Sequence, residues 1–153
     1  MLTHPIATAR AAGSRKIVVV IGHQGERIRG LFAKDDLIFV EQREQQGTGH
    51  AVLQAREVCR DYEGAIVILC GDVPLILPET VRALHDRHRP ERAVVTVLTT
   101  IPDTPAGYGR VVKADDGTLL RIVEDKDATS EEKQIREINT GIYCVESRFL
   151  FAA

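Results

Sequence analysis

The sequence predicts an α/β fold: a parallel, doubly wound sheet with helices on both faces, followed by a C-terminal β-hairpin region. Three observations carry this. Between Lys16 and Thr100, short β-branched runs alternate with segments of helical spacing, the pattern of successive βαβ units. Two of those runs, Lys16–Ile21 and Ala65–Cys70, are apolar with almost no polar alternation, as strands covered on both faces are. Beyond Gly109 the style changes to two short runs around Asp115-Asp116-Gly117, a hairpin signature.

In order, Met1–Ala12 reads as a helix stopped near Gly13. Lys16–Ile21 is a strand ended by Gly22. Glu26–Phe32 is a short helix, and Leu37–Val40 is a strand. Gly47–Arg60 opens with Gly-Thr-Gly-His and continues with Ala51, Val52, Leu53, Ala55 and Val58 at helical spacing. The Ala65 strand follows, and Gly71 and Pro74 break it. Pro78–His88 has proline in its first turn, as helices tolerate. Val94–Thr100 is β-branched. Gly109–Lys113 and Leu119–Val123 form the hairpin. Ser130–Arg136 reads as a charged helix, and Ile138–Val145 as a last strand. Ser147 is placed to cap the apolar tail Arg148–Ala153.

The chain has 153 residues, enough for one ordinary domain and too few for two. Its 44% hydrophobic and 27% charged residues are normal for a globular protein. A net charge of −2 gives no field that would recruit nucleic acid. No apolar run is long enough to span a membrane, and no secretory leader is visible. Cys59, Cys70 and Cys144 have no metal-like spacing, and an odd count without a leader fits a reducing cytoplasm.

Chemistry has several candidate locations. Asp72 follows Gly71 at the carboxyl end of an apolar strand, the edge where open α/β sheets bind ligands. It equally suits the capping of a turn. Gln42–His50 lies between a strand and a helix. Its glycines allow close approach to a ligand, and the amides of Gln42, Gln45 and Gln46 suit the imide edge of uracil. As a bare pattern it also suits a solvated strand-to-helix turn, and His50 a satisfied surface histidine. Gly107-Tyr108-Gly109-Arg110 leads into the hairpin and is readable as a ligand contact or as a bulge. Glu124-Asp125-Lys126-Asp127 is readable as a solvated charged loop. Asn139 and Thr140 sit in an otherwise apolar strand and need partners there.

Four segments, taken in order and spacing, resemble one family. They are Gln45–Ala51, Gly71–Ile76, Gly107–Arg110, and Ile122–Ala128 with Glu137–Ile142. Together they closely resemble the uridyltransferase domain of the bacterial bifunctional enzyme that makes UDP-N-acetylglucosamine and also carries an acetyltransferase domain. The resemblance covers essentially all 153 residues. It implies a Rossmann-like nucleotide-diphospho-sugar transferase sheet. It also implies a reaction: UTP and N-acetylglucosamine 1-phosphate give UDP-N-acetylglucosamine and pyrophosphate, with Mg²⁺, for cell-wall and lipopolysaccharide precursors. Carried over, Gln42, Gln45, Gly47 and Thr48 match uracil-holding positions, and Gly71 and Asp72 match the metal loop, Asp72 being the Mg²⁺ ligand. Gly109, Glu124 and Asn139 match positions that hold the amino sugar. No residue matches a catalytic acid, base or nucleophile. Cys70 stands where such enzymes often have a tyrosine.

The resemblance also implies that 1–153 is a partial uridyltransferase domain. The family's first strand, its Gly-x-Gly-Thr loop and its acetyltransferase β-helix, through which it trimerises, have no counterpart in this sequence. The expectation is therefore a cytoplasmic chain, with no nucleic acid or membrane partner, that does not turn over UTP by itself. The alternatives are a non-catalytic uridine- or sugar-binding fragment, or a pyrophosphorylase for another sugar. A nicotinamide-dependent dehydrogenase is disfavoured, since Ile21–Gly25 has only two glycines, wrongly spaced. Without a strand between them, Lys16–Ile21 and Ala65–Cys70 are expected either to close up and pair in parallel at about 4.8 Å or to have the lane between them filled by another chain, rather than stay roughly 9–10 Å apart with the lane empty.

Overall fold

The computed structural model describes residues 2–22, 25–33, 36–73, 75–90 and 93–152. Met1, Pro74 and Ala153, which bear on predicted element ends, lie outside them. Helices α1 (Thr3–Ala11), α2 (Gly25–Leu31), α3 (Thr48–Leu53), α4 (Pro78–His88) and α5 (Ser147–Leu150) accompany seven strands. These are β1 (Val18–Ile21), β2 (Ile38–Glu41), β3 (Ala65–Ile68), β4 (Val95–Thr100), β5 (Arg110–Lys113), β6 (Leu119–Val123) and β7 (Ile138–Glu146). No helix among the described residues is long and apolar enough to cross a membrane.

The α/β class holds, and the pairing divides it into two sheets. β1 and β2 pair in parallel, Val18 opposite Ile38 through Ile21 opposite Glu41. The five-stranded sheet is built around β7. β3 and β4 both pair antiparallel with it, Ile68 opposite Tyr143 and Leu98 opposite Ile142, so they run parallel to each other with β7 between them. β5 and β6 form the predicted hairpin, and β5 meets β7 only at Arg110 opposite Ile138. The parallel sheet read from strand–helix alternation is thus corrected to a mixed one: β1 and β2 do pair in parallel, but an antiparallel β7 stands between β3 and β4. Alternation reports order along the chain, while β7 arrives from more than 35 residues downstream of β4 and fits because its Ile142–Val145 stretch is apolar on both faces.

The expected closure of β1 onto β3 does not occur, since β1 pairs with β2 and β3 with β7. Each sheet instead has its own core. Ile6, Val19 and Ile21 centre one, and Leu84, Ile142 and Cys144 the other. α1 bridges them. Its Ile6 joins the first core, while Thr8 Oγ1 donates to Ile76 O (3.0 Å) beside the second. Arg82 of α4 donates to Ala11 O (2.6 Å). Having one paired edge, β3 is half-buried along its length rather than covered on both faces.

Local departures have local causes. The predicted Gly47–Arg60 helix is regular only to Leu53. Gln54, Ala55 and Arg56 then bond three residues back, tightening the segment into turns and a 3₁₀ turn at Glu57–Cys59. Ser130–Arg136 reduces to a 3₁₀ turn at Glu132–Gln134. There Thr129, not Ser130, makes the capping box: Thr129 Oγ1 accepts from Glu132 N (3.2 Å), and Glu132 Oε2 accepts from Thr129 N (2.8 Å). Ser147 is not the cap of its helix. Its hydroxyl donates to Tyr62 O (2.7 Å) and accepts from Gly64 N (3.3 Å), tying α5 to the chain entering β3.

Glu137 joins two elements, accepting from Thr99 Oγ1 and Lys113 Nζ, both at 2.6 Å. Burial acts to raise its pKa, but the Lys113 and Thr99 bonds outweigh it and hold the carboxyl below its ordinary 4.5. A depressed carboxyl stabilises the fold above its unfolded value and loses that contribution as pH falls through the folded one. Thermal melts from pH 6 to 3 should therefore show a stability loss beginning near 4.5, diminished in Glu137→Gln. Parallel curves for the two proteins would contradict it.

Candidate functional site

The first set of site residues lies where β1 and β2 end. Gln42 continues β2, its N–H donating to Ile21 O (2.8 Å), so the Gln42–Thr48 loop leaves the carboxyl edge of this sheet. Ile21, Gly22, Gly25, Glu26, Glu41, Gln42, Arg43 and Gln45 line an open cleft of about 470 Å³ there. A Cβ at Gly22 would stand 3.4 Å from Gln45 Nε2, so the glycine lets that amide lie over the end of β1. Gly47, at φ +92°, turns the loop into α3, which Thr48 opens. The expectation of a ligand-facing loop thus coincides with a cleft. His50 has polar neighbours, as its position suggested: the amide nitrogens of Gln42 and Gln54 lie 2.9 and 3.2 Å from its two ring nitrogens.

The second set lies on the other sheet. The β5–β6 and β5–β7 registers, carried one residue beyond Arg110, set Gly109 opposite both Glu124 and Asn139. Asn139 N donates to Gly109 O (2.8 Å). A Cβ on Gly109 would stand 3.0 Å from Ile122 Cγ2 and 3.6 Å from Glu124 Oε1, so only glycine leaves that row open. Arg110, 2% exposed, braces it by binding Asp125 Oδ1 (2.9 Å) and the Tyr108 carbonyl. Asp125 therefore has a structural partner that the sequence did not reveal.

A bulge in β7 links this row to Asp72. Leu98 pairs with Ile142 and Thr99 with Asn139, so Thr140 and Gly141 are extra. Several of its polar groups have partners. Asn139 Oδ1 accepts from Gly141 N (3.0 Å), and its Nδ2 donates to Tyr143 Oη (2.6 Å). Thr140 Oγ1 donates to Leu98 O (2.6 Å). Cys70 Sγ donates to Gly141 O (3.3 Å). Gly141 sits at φ +75°, and a Cβ on it would stand 2.9 Å from Cys70 Sγ. Two residues past Cys70 is Asp72, whose exposed side chain lies in the turn after β3.

Electrostatics trace the same line. Burial, then the charge of Asp72, raises the Cys70 thiol. Burial raises the Tyr143 phenol, the Asn139 bond lowers it, and Cys70 and Glu124 raise it further. Burial pushes the neighbouring Cys144 thiol up to about 11, leaving it an inert core residue. Sequence reasoning missed Tyr143 as a partner of Asn139. Its one signal was a polar ring four residues along an apolar strand from an amide.

The structure thus gathers Gly109, Glu124 and Asn139 into one row, which Gly141 and Cys70 connect to the turn carrying Gly71 and Asp72, and Gln42, Gln45, Gly47 and Thr48 into one loop. The contacts described above run within each set. Both sets lie at sheet ends, the edge where open α/β sheets bind ligands.

The fold resembles that in the crystal structure of HddC from Yersinia pseudotuberculosis, with a TM-score of 0.74 at 18% identity over 97% of this chain and 63% of that one. The MobA-like NTP transferase domain family matches residues 1–135, and this chain belongs to that family of nucleotidyltransferases. The bifunctional protein GlmU of Geotalea daltonii is 51% identical over the whole chain, which spans 34% of that relative. Those of Geobacter metallireducens and Desulfotalea psychrophila are 50% and 46% identical, with 32% and 45% of their lengths covered. The chain therefore spans about a third of the first two relatives and under half of the third.

Proposed function

We propose that this chain is part of a uridyltransferase domain that forms UDP-N-acetylglucosamine and pyrophosphate from UTP and N-acetylglucosamine 1-phosphate. The observation that carries it is the row Glu124–Gly109–Asn139, tied through Gly141 and Cys70 to the turn that bears Asp72: hydrogen-bonding groups for a sugar on the same sheet end as a carboxylate for a phosphate-bound cation. The cleft at Gln42 and Gln45 supplies a place for the base, and the GlmU relatives support the choice of substrates.

The residues fit Mg²⁺. No group of three or more His, Cys, Asp or Glu able to cage a metal exists among the described residues. A single exposed carboxylate suits Mg²⁺, which keeps waters and takes phosphate oxygens beside one or two carboxylates. When bound at Asp72, Mg²⁺ would supply charge neutralisation to the phosphates. The rest is positioning. Gln42 and Gln45 read the base. Glu124 and Asn139 hold sugar hydroxyl or amide groups, with Gly109 leaving space. The nucleophile is the oxygen of a phosphate already ionised at neutral pH, so no base is needed. In-line attack then expels pyrophosphate.

The test is direct. The complete gene product, given UTP, the sugar phosphate and Mg²⁺, should release pyrophosphate and UDP-N-acetylglucosamine, and chelation should stop it. Release with another sugar phosphate and not this one would replace the sugar assignment. Gln45→Ala should weaken UTP use and its preference over CTP by roughly tenfold, the effect of about 1–3 kcal/mol for an unmade base-reading bond. An unchanged ratio would remove Gln45 from the base site.

A further inference from the structure

His50 lies in α3, within reach of the loop that carries Gln42. Gln42 Nε2 donates to Gly47 O (3.2 Å) and approaches His50 Nδ1 at 2.9 Å. Two acceptors use both hydrogens of that amide. Its orientation is fixed as well, because reversing it would set the amide oxygen against the Gly47 carbonyl.

Gln54 flanks the imidazole on its other side. The Gln54 amide nitrogen lies 3.2 Å from His50 Nε2 and donates to His50 O (3.0 Å). A neutral imidazole accepts at one nitrogen only. The two amides compete for that lone pair: the Gln42 contact is the shorter, at 2.9 against 3.2 Å, while Gln54 keeps its bond to the His50 carbonyl with either tautomer. The lone pair therefore belongs on Nδ1 and the ring proton on Nε2.

We propose that His50 is a positioning residue for the nucleobase: by accepting at Nδ1 it holds Gln42 so that the amide offers only its carbonyl oxygen to a ligand. This rests on the reading of the cleft as a base site. A carbonyl oxygen pairs with the N3–H of uracil and is repelled by the N3 lone pair of cytosine. His50 thus makes a residue able to read either base into one that reads uracil. Without it, the Gln42 amide is free to turn and present N–H to cytosine.

Two measurements test this. Nitrogen NMR of the chain, without nucleotide, should find the His50 ring protonated at Nε2. The Gln42 side-chain amide resonances should move in His50→Leu and stay near wild type in His50→Asn, whose Oδ1 stands about where Nδ1 stands. In the complete gene product, His50→Leu should reduce the UTP-over-CTP preference in kcat/KM by about tenfold, mostly through KM. His50→Asn should keep that preference. His50→Gln places its polar atoms at the Nε2 position and should lose the preference as His50→Leu does, so the test survives a poorly folded leucine variant. A ring protonated at Nδ1, or unmoved Gln42 resonances in both His50→Leu and His50→Gln, would overturn the proposal, as would an unchanged preference in those variants. A wild-type protein with no preference for UTP would instead overturn the reading of the cleft, while the NMR result still decides whether His50 holds Gln42.

Discussion

Asp72→Asn should lower nucleotidyl transfer by the complete gene product about 100- to 1,000-fold, the usual effect of removing a group that stabilises charge in the transition state. The carboxylate is exposed in the turn after β3, at the end of the sheet where Gly109, Glu124 and Asn139 gather. An exposed side chain in a turn contributes little to folding, so stability should change by no more than about 0.5 kcal/mol. That separation of activity from stability is the signature of a functional carboxylate. A second readout needs no activity. The Asp72 charge adds to burial in raising the Cys70 thiol. Removing it should lower that pKa and speed Cys70 alkylation at a fixed pH below it. Full turnover in Asp72→Asn would end the metal assignment, and unaltered alkylation would contradict the placement of Asp72 beside Cys70.

Ile142→Ala should cost about 2–5 kcal/mol, a large share of the roughly 5–15 kcal/mol that keeps a domain folded. Ile142 is 2% exposed, pairs with Leu98 across β4, and packs with Leu84 and Cys144 at the centre of the larger sheet. It also follows Gly141, so loosening it should disturb the bulge that fixes Asn139. Leu31→Ala is the control: at 75% exposure that leucine should matter by no more than about 0.5 kcal/mol. Urea denaturation of both variants checks the contrast. Equal midpoints would mean that β7 is not the keystone of this sheet.

How legible the site was depended on the kind of contact. Asp72 was visible because an apolar run ending in glycine and aspartate is a local signal. The Gln42–His50 loop was visible because glycines and amides between a strand and a helix are local too. From the residues alone Asn139 and Thr140 were flagged as polar groups needing partners, and the resemblance gave Asn139 a sugar-holding position. Their partners, Tyr143, Gly141 and Leu98, depend on a two-residue bulge set by the register between β4 and β7. The Arg110–Asp125 bond spans two motifs noted separately, joined by a hairpin register that no single motif contains.

The sequence by itself determined the α/β class, the approximate place of every strand, the β5–β6 hairpin and the family resemblance. Those rest on periodicity, turn residues and motif spacing, which act over a few residues or are carried by identity. Only the tertiary structure decided which strands are neighbours. β7 lies between β3 and β4, β1 pairs with β2 alone, and α1 spans two cores. The physical reason is that a backbone N–H or C=O pairs equally well with any strand that presents a partner. An apolar run such as Ile138–Val145 says that it must be covered, while the choice of neighbour is settled by burial and hydrogen bonding over the whole chain.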